Sequence, residues 1–319
     1  MKKIRIGYLG SGPISHFHIP AIKKAGFEIV SLFTREKSNN VKKISTKFGL
    51  VNPSSSFDEF ISLSKKKKVK AYVVAIKTEH TPLILKKLSY TRKYILSEKP
   101  GAINSRELKK ILLNKNKIYF AYNRRFYKSI NFAKFFVEKN KPCNVNVRIP
   151  DSISTWHQFI INGCHVIDVL RFIFGKIYLI KSYFKPGVSK NKNGFHFILK
   201  SKSDDFINVN VNWGFPDNFS INIFANKKRV EINPLEVANL YEKMEIIQPS
   251  TNFPLRSYIA KKKKIISLSK NFNFKPGFVE QYKDFKNLII NKKYKTNLCN
   301  LNEALENLML IEKIKKNTK

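Results

Sequence analysis

The chain has 319 residues, a formal net charge of +39 and 43% hydrophobic residues, with 26 Phe and 13 Tyr. That much apolar and aromatic side chain excludes a disordered polymer, and the length exceeds what one core usually organises, so two domains are expected. No apolar stretch is long enough to span a bilayer, and Gly10, Gly12 and Pro13 interrupt the run that a leader starting Met1-Lys2-Lys3 would need. Cys143, Cys164 and Cys299 are scattered and odd in number, which fits neither a disulfide framework nor a zinc site. A soluble, cytoplasmic protein without a metal or a membrane partner is the expectation.

The charge invites a nucleic-acid reading, but only ten of the 61 basic residues are Arg and the lysines run along the whole chain. Asn, Ile, Phe and Tyr are also abundant, as A/T-rich codons would supply. The charge therefore reads as compositional drift, with runs such as Lys65–Lys68 and Lys261–Lys264 solvated and no specific nucleic-acid partner expected. Its field still favours anionic ligands.

In chain order, IRIGYL (4–9) predicts a strand, SHFHIPAIKKAG a helix ending at Gly26, and FEIVSLFT (27–34) a second strand. Between the first strand and the helix stands Gly10-Ser-Gly12-Pro13-Ile14-Ser15. Strand, glycine turn, helix and strand within about 30 residues are the context that a dinucleotide fingerprint needs. Gly10 permits the tight turn, and Gly12 lets a pyrophosphate approach the helix N-terminus, with Pro13 and Ile14 beside it. Ser15 takes the place of a third small residue. An Asp or Glu ending the second strand would bind the 2′-hydroxyl of NAD. Here Thr34-Arg35 stands instead, followed by Glu36, Lys37 and Ser38, a set suited to a 2′-phosphate, so NADP is favoured and NAD possible.

KAYVVAI (70–76) predicts another buried strand, followed by Lys77-Thr78-Glu79-His80, and TPLILKKLSYT predicts a helix. YILS then ends on Glu98-Lys99-Pro100. Continuous apolar strands alternating with helices indicate a doubly wound parallel sheet, a Rossmann domain over 1–120. The triplet then sits at a strand's carboxyl end, where open α/β sheets bind ligands.

These stretches, with AYNRRFY (121–127), GCHVIDVLRFIFG (163–175) and ALENLMLIEKIKK, resemble the Gfo/Idh/MocA oxidoreductases, the family of glucose–fructose oxidoreductase and inositol dehydrogenase. They follow the family's order across nearly the whole chain. The resemblance implies a second domain, here 121–319, of α+β type with a large, mostly antiparallel open sheet that often joins homodimers or homotetramers. The residues support that sheet independently. CNVNVRI puts Cys143, Val145, Val147 and Ile149 on one face, and FINVNVNW does the same with Ile207, Val209 and Val211. Such alternation predicts half-buried antiparallel strands. A closing helix is expected at about 301–317.

By the resemblance, Lys99 contacts the reacting hydroxyl or carbonyl, after a Lys-Pro bond of cis type, and an ammonium there favours the alkoxide-like oxygen. His165 exchanges the proton, a role its near-neutral pKa suits, and Asp168 stands one helical turn on. Thr78, His80, Glu98 and Asn123 fall at cofactor positions, with His18 as a polar support. Tyr122 and Arg124 face the substrate; at least one of Arg124 and Arg125 is equally read as an ion-pair residue. Family members carry an Asp four residues before the histidine, where this chain has Ile161, next to Asn162. Tyr122 or His157 is a candidate to substitute. The expected activity is NAD(P)-dependent hydride transfer to or from a sugar or nucleotide sugar, as in surface-polysaccharide synthesis. The alternative is a non-catalytic nucleotide sensor that acts through a protein partner.

Overall fold

A computed structural model of the chain describes residues 3–34, 39–50, 53–111, 117–151, 155–185, 194–267 and 273–318. The elements are β1 (Ile4–Leu9), α1 (Ser15–Lys24), β2 (Phe27–Phe33), α2 (Asn39–Phe48), β3 (Pro53–Ser54), α3 (Phe57–Lys66), β4 (Ala71–Val74), α4 (Thr81–Ser89), β5 (Tyr94–Ser97), α5 (Ser105–Lys109) and β6 (Ile118–Phe120). There follow α6 (Lys128–Asn140), β7 (Asn144–Asp151), α7 (Trp156–Gln158), α8 (Cys164–Phe174), β8 (Ile177–Lys185), β9 (Gly194–Ser201), β10 (Phe206–Trp213), β11 (Ser220–Ala225), β12 (Lys228–Ile232), β13 (Ala238–Ile247) and β14 (Ser257–Ile266). The last are α9 (Phe278–Ile290), β15 (Cys299–Asn300) and α10 (Leu301–Asn317). No helix among the described residues is long and apolar enough to cross a membrane.

The chain divides into two compact units, one of residues 1–126 with 271–312 and the other of 127–270 with 313–319. The single cut expected at residue 120 misses the return of 271–312. That return follows from α9, whose Phe278, Tyr282 and Phe285 are buried in the same core as Ile19, Ile22 and Phe27. Phe27 meets Tyr282 and Phe285 at ring separations of 6.3 and 6.1 Å. Helical apolar spacing at 278, 282 and 285 marks a buried face but does not say which core receives it.

In the first unit the described strands form one sheet in the order β15-β6-β5-β4-β1-β2-β3. All pairs are parallel except β15 with β6. The four residues of β4 are all buried, as expected of a strand covered on both faces. Strand order reverses between β1 and β4, which makes the crevice outside their carboxyl ends the natural ligand site.

In the second unit the described strands form an eight-stranded sheet, β14-β13-β12-β11-β7-β10-β9-β8. Its inner face carries Val145, Val147, Ile149, Ile207, Val209 and Val211, all at 0% exposure, as the alternation predicts. The expected strand direction needs one correction. β7 and β10 run parallel, with Val145 opposite Ile207 and Val147 opposite Val209, although the rest of the sheet is antiparallel. Period-two patterning reports which face is buried and nothing about direction. Here the crossover through α8 and the β8–β9 hairpin returns the chain beside β7 in the same sense.

Candidate active site

Gly10 ends β1 at φ +124°, and a Cβ there would lie 2.0 Å from the Ala75 carbonyl oxygen. Only glycine lets β1 and β4 close this tightly, and Ala75 N–H bonds the Leu9 carbonyl at 2.7 Å. At Gly12 the reverse holds, since among the described residues a Cβ would meet no atom within 4 Å beyond its chain neighbours. The space over Gly12 is therefore open to a ligand. The first turn of α1 carries no acidic residue, so its N-terminal dipole is free of a competing carboxylate. These features fit a dinucleotide pyrophosphate.

A groove of about 920 Å³ opens here, lined by Gly10, Gly12, Pro13, Ile14, Thr34 and His80 from the expected set. Its apolar walls come from Phe17, Phe33, Phe57, Leu83 and Ile84, suited to a flat base, and Lys77 and Lys87 add charge. No carboxylate is among these lining residues. Lys87 lies over the Phe57 ring, 5.2 Å from its centre. Thr34 is buried and its N–H bonds the Ser54 carbonyl at 3.1 Å. Arg35, Glu36, Lys37 and Ser38, on which the 2′-phosphate reading rests, lie outside the described residues.

Thr78, Glu98, Lys99 and Asn123 are not part of that groove's wall. Thr78 and His80 share a short 3-10 turn after β4. Glu98 leaves β5 with its N–H on the Val74 carbonyl at 2.7 Å. The Lys99–Pro100 bond is cis, and Gly101 follows at φ +88°, where a Cβ would strike the Phe120 ring at 2.1 Å. Lys99 is half-buried and Pro100 buried.

Behind this turn runs a polar relay. Glu98 Oε1 lies 2.8 Å from His18 Nε2, and His18 Nδ1 lies 2.6 Å from the Tyr282 hydroxyl. A carboxylate accepts only, so Nε2–H donates to Glu98, and Nδ1 shares the second hydrogen bond with the Tyr282 hydroxyl. Burial pushes the Glu98 carboxyl upward. The His18 hydrogen bond and the charges of His18, Lys99 and Lys275 outweigh it and hold the group below its ordinary range. Burial raises Tyr282 well above an ordinary phenol, which keeps it a donor. His18, on α1, thus ties β5 to α9.

The two arginines after β6 differ in burial. Arg125 is buried and forms an ion pair with Glu303 at 3.2 Å. Arg124 is half-buried, and its charge reaches Lys275. Tyr122 is buried, and the Asn123 side-chain amide donates to the Pro276 carbonyl at 2.9 Å.

His165 lies in the second unit on α8, buried, as is Asp168 one turn on. The turn before it, Phe159–Gly163, is π-helical and contains Ile161 and Asn162, both half-buried. Gly163 fits there because a Cβ would meet the Phe159 ring at 2.3 Å. Such π turns often occur at functional sites. His157 is exposed.

Sequence reasoning missed Lys275, Tyr282, Phe57 and Lys87. The first two arrive with the returning segment, and the last two project from helices whose spacing reads as ordinary amphipathic structure.

Residues 4–117 match the family model described as "Oxidoreductase family, NAD-binding Rossmann fold". No curated protein matches the sequence. Solved structures share the fold. The WlbA dehydrogenase from Bordetella pertussis, in complex with NADH and UDP-GlcNAcA, is 16% identical with a TM-score of 0.74, over 99% of this chain and 95% of that one. The UDP-N-acetylglucosamine 3-dehydrogenase GnnA from Acidithiobacillus ferrooxidans is 12% identical with a TM-score of 0.77, over 100% and 98%. A super-repressor mutant of Gal80p from Saccharomyces cerevisiae is 15% identical with a TM-score of 0.78, over 99% and 95%.

Proposed function

We propose, from the match of residues 4–117 to the Gfo/Idh/MocA model of NAD-binding Rossmann oxidoreductases, that the protein is an NADP-preferring dehydrogenase of sugars or nucleotide sugars, as in surface-polysaccharide synthesis. The observation that carries the reading is the pairing of a groove, open over Gly12 and with no carboxylate among its described lining residues, with a lysine at the carboxyl end of β5. Gly10, Gly12, Pro13 and Ile14 would hold the pyrophosphate, and Thr34 with Arg35 the ribose phosphate. The nicotinamide supplies hydride transfer when bound. Lys99 stabilises the oxygen whose negative charge grows as the C–H bond breaks or forms. Glu98, fixed by His18, holds the turn that carries Lys99. His165 exchanges the hydroxyl proton in place of the missing aspartate at Ile161.

Titration of the pure protein with NADPH and NADH tests the cofactor. Equal affinities, or an Arg35→Ala variant with unchanged NADPH affinity, would remove the NADP assignment. Oxidation of a panel of sugars and nucleotide sugars tests the substrate class. The presence of Ile161 at the aspartate position, and the likeness to a super-repressor form, favour a second reading as a non-catalytic sensor. Hydride transfer to any keto sugar excludes it. The outward face of the second sheet, with Tyr178, Ile180, Phe206 and Phe224 exposed, supports a homodimer or homotetramer. Sedimentation as a monomer at micromolar concentration would rule that out.

A further inference from the structure

Tyr282 stands on α9 among phenylalanines. Its ring meets Phe27 at 6.3 Å, Phe27 meets Phe285 at 6.1 Å, and Phe278 lies one turn before it. Packing alone would be served by another phenylalanine. The hydroxyl instead enters a site at 0% exposure, where a polar group needs a partner. That partner is the His18 ring, with Nδ1 at 2.6 Å.

His18 is enclosed as closely. Its ring, at 1% exposure, packs against Phe278 at 4.8 Å and Tyr282 at 5.9 Å, so two successive turns of α9 flank it. Its other nitrogen, Nε2, donates to Glu98 Oε1 at 2.8 Å. With both nitrogens engaged and the ring enclosed, a displacement of Tyr282 passes to the carboxylate instead of being absorbed by rotation of the ring.

Glu98 is where this chain of contacts reaches the strand end. Its N–H bonds the Val74 carbonyl at 2.7 Å, and its own carbonyl accepts from Ser97 Oγ at 3.2 Å. Those two bonds stay within the sheet, whereas the side-chain bond leaves it for α1. Beyond Lys99 the turn is closed by Gly101, where a Cβ would strike the Phe120 ring at 2.1 Å. Lys99 is thus carried on a short segment fixed at Glu98 and at Gly101, and residues of α1 and α9 complete the first of these anchors.

We infer that Tyr282 is a positioning residue: through His18 it fixes the Glu98 side chain, and with it the direction in which Lys99 leaves the end of β5. This rests on the reading that Lys99 stabilises the reacting oxygen. Such stabilisation depends on a donor held in place before the charge develops, so a loosened ammonium forfeits turnover while cofactor and substrate affinity persist. The returning helix therefore serves the reaction without touching the substrate.

The first test needs no substrate. Acetic anhydride acetylates lysines, and mass spectrometry of the peptides follows each one. In Tyr282→Phe and in His18→Asn, Lys99 should react about threefold faster or more, while Lys87 on α4 keeps its rate within about 1.5-fold. His18→Gln, whose amide can still donate to Glu98, should stay near the native rate. Phe285→Leu, a core change on the same helix, should lower the thermal midpoint at least as far as Tyr282→Phe and leave Lys99 unchanged.

The second test is turnover with NADPH or NADP over glucose, glucuronate, UDP-glucose and UDP-glucuronate. With any probe that reacts, Tyr282→Phe should lower kcat about fivefold or more and leave KM within about twofold. Tyr282→Phe combined with His18→Asn should be no slower than His18→Asn alone, because the two act in series. Native Lys99 reactivity in Tyr282→Phe, equal acceleration by Phe285→Leu, an unchanged kcat, or losses that multiply in the double variant would each overturn the inference. If the labelling pattern holds while no probe turns over, the positioning of Lys99 stands and the dehydrogenase reading alone falls.

Discussion

The two sheets of this protein are built from the same apolar residues and use them differently. In the first unit β4 is buried along its whole length, and side-chain chemistry is displaced to the strand ends, at Gly10, Thr34 and Glu98-Lys99. In the second unit the inner residues of β7 and β10 are fully buried, while Phe206, Phe224 and Ile246 of the same sheet stay exposed. A sheet covered on both faces can offer ligands only its edges and ends, whereas a sheet covered on one face keeps a broad surface for packing.

The largest expected effect lies at a strand end of the first sheet. Lys99→Met keeps length and removes charge and donors, and should reduce turnover roughly 10²- to 10³-fold, about 3–4 kcal/mol, with NADPH affinity nearly unchanged. Retention of more than about a tenth of wild-type turnover, with chemistry rate-limiting, would break the assignment of chemistry to that end.

The second sheet sharpens the contrast through stability. Ile207→Ala, on the buried face, should cost about 3 kcal/mol in urea unfolding. Ile246→Thr, at 51% exposure, should stay within about 0.5 kcal/mol. Equal costs would mean that the outward face is not open in solution.

The glycine turn separates folding from binding. Gly10→Ala would drive a methyl into the Ala75 carbonyl and should cost roughly 2–3 kcal/mol of stability. Gly12→Ala meets no atom of the described residues beyond its chain neighbours, so its thermal midpoint should hardly move while NADPH affinity falls about tenfold or more. A stability loss at Gly12 matching that at Gly10 would contradict the open space above it.

The smallest effect concerns Glu98. Its folded pKa lies below the ordinary value of 4.5, so its ionised form contributes stability above that pH. The contribution should disappear as pH falls through the lowered folded value. The unfolding free energies of the native protein and Glu98→Gln should therefore differ at pH 7 and converge in strong acid. A difference that grows on acidification would invert the sign and refute the relay.

Much of the first unit follows from local sequence. The strand–glycine–helix spacing at 4–26 and the apolar runs at 27–33 and 71–74 have few other solutions, because turn geometry and burial period are set by neighbouring residues. The alternation in β7 and β10 likewise determines which side chains turn inward, and the closing helix forms over Leu301–Asn317 as its pattern requires. Only the tertiary structure decides that β7 and β10 are parallel, that α9 returns to the first core, and that Arg125 pairs with Glu303. It alone brings Tyr282 to His18 across 264 residues and seats Lys275 over the rings of Phe17 and Phe278. Local patterns specify which face of an element is apolar. Which partner covers that face, and which distant charge arrives with the partner, depends on contacts between segments remote in sequence, and no local period encodes them.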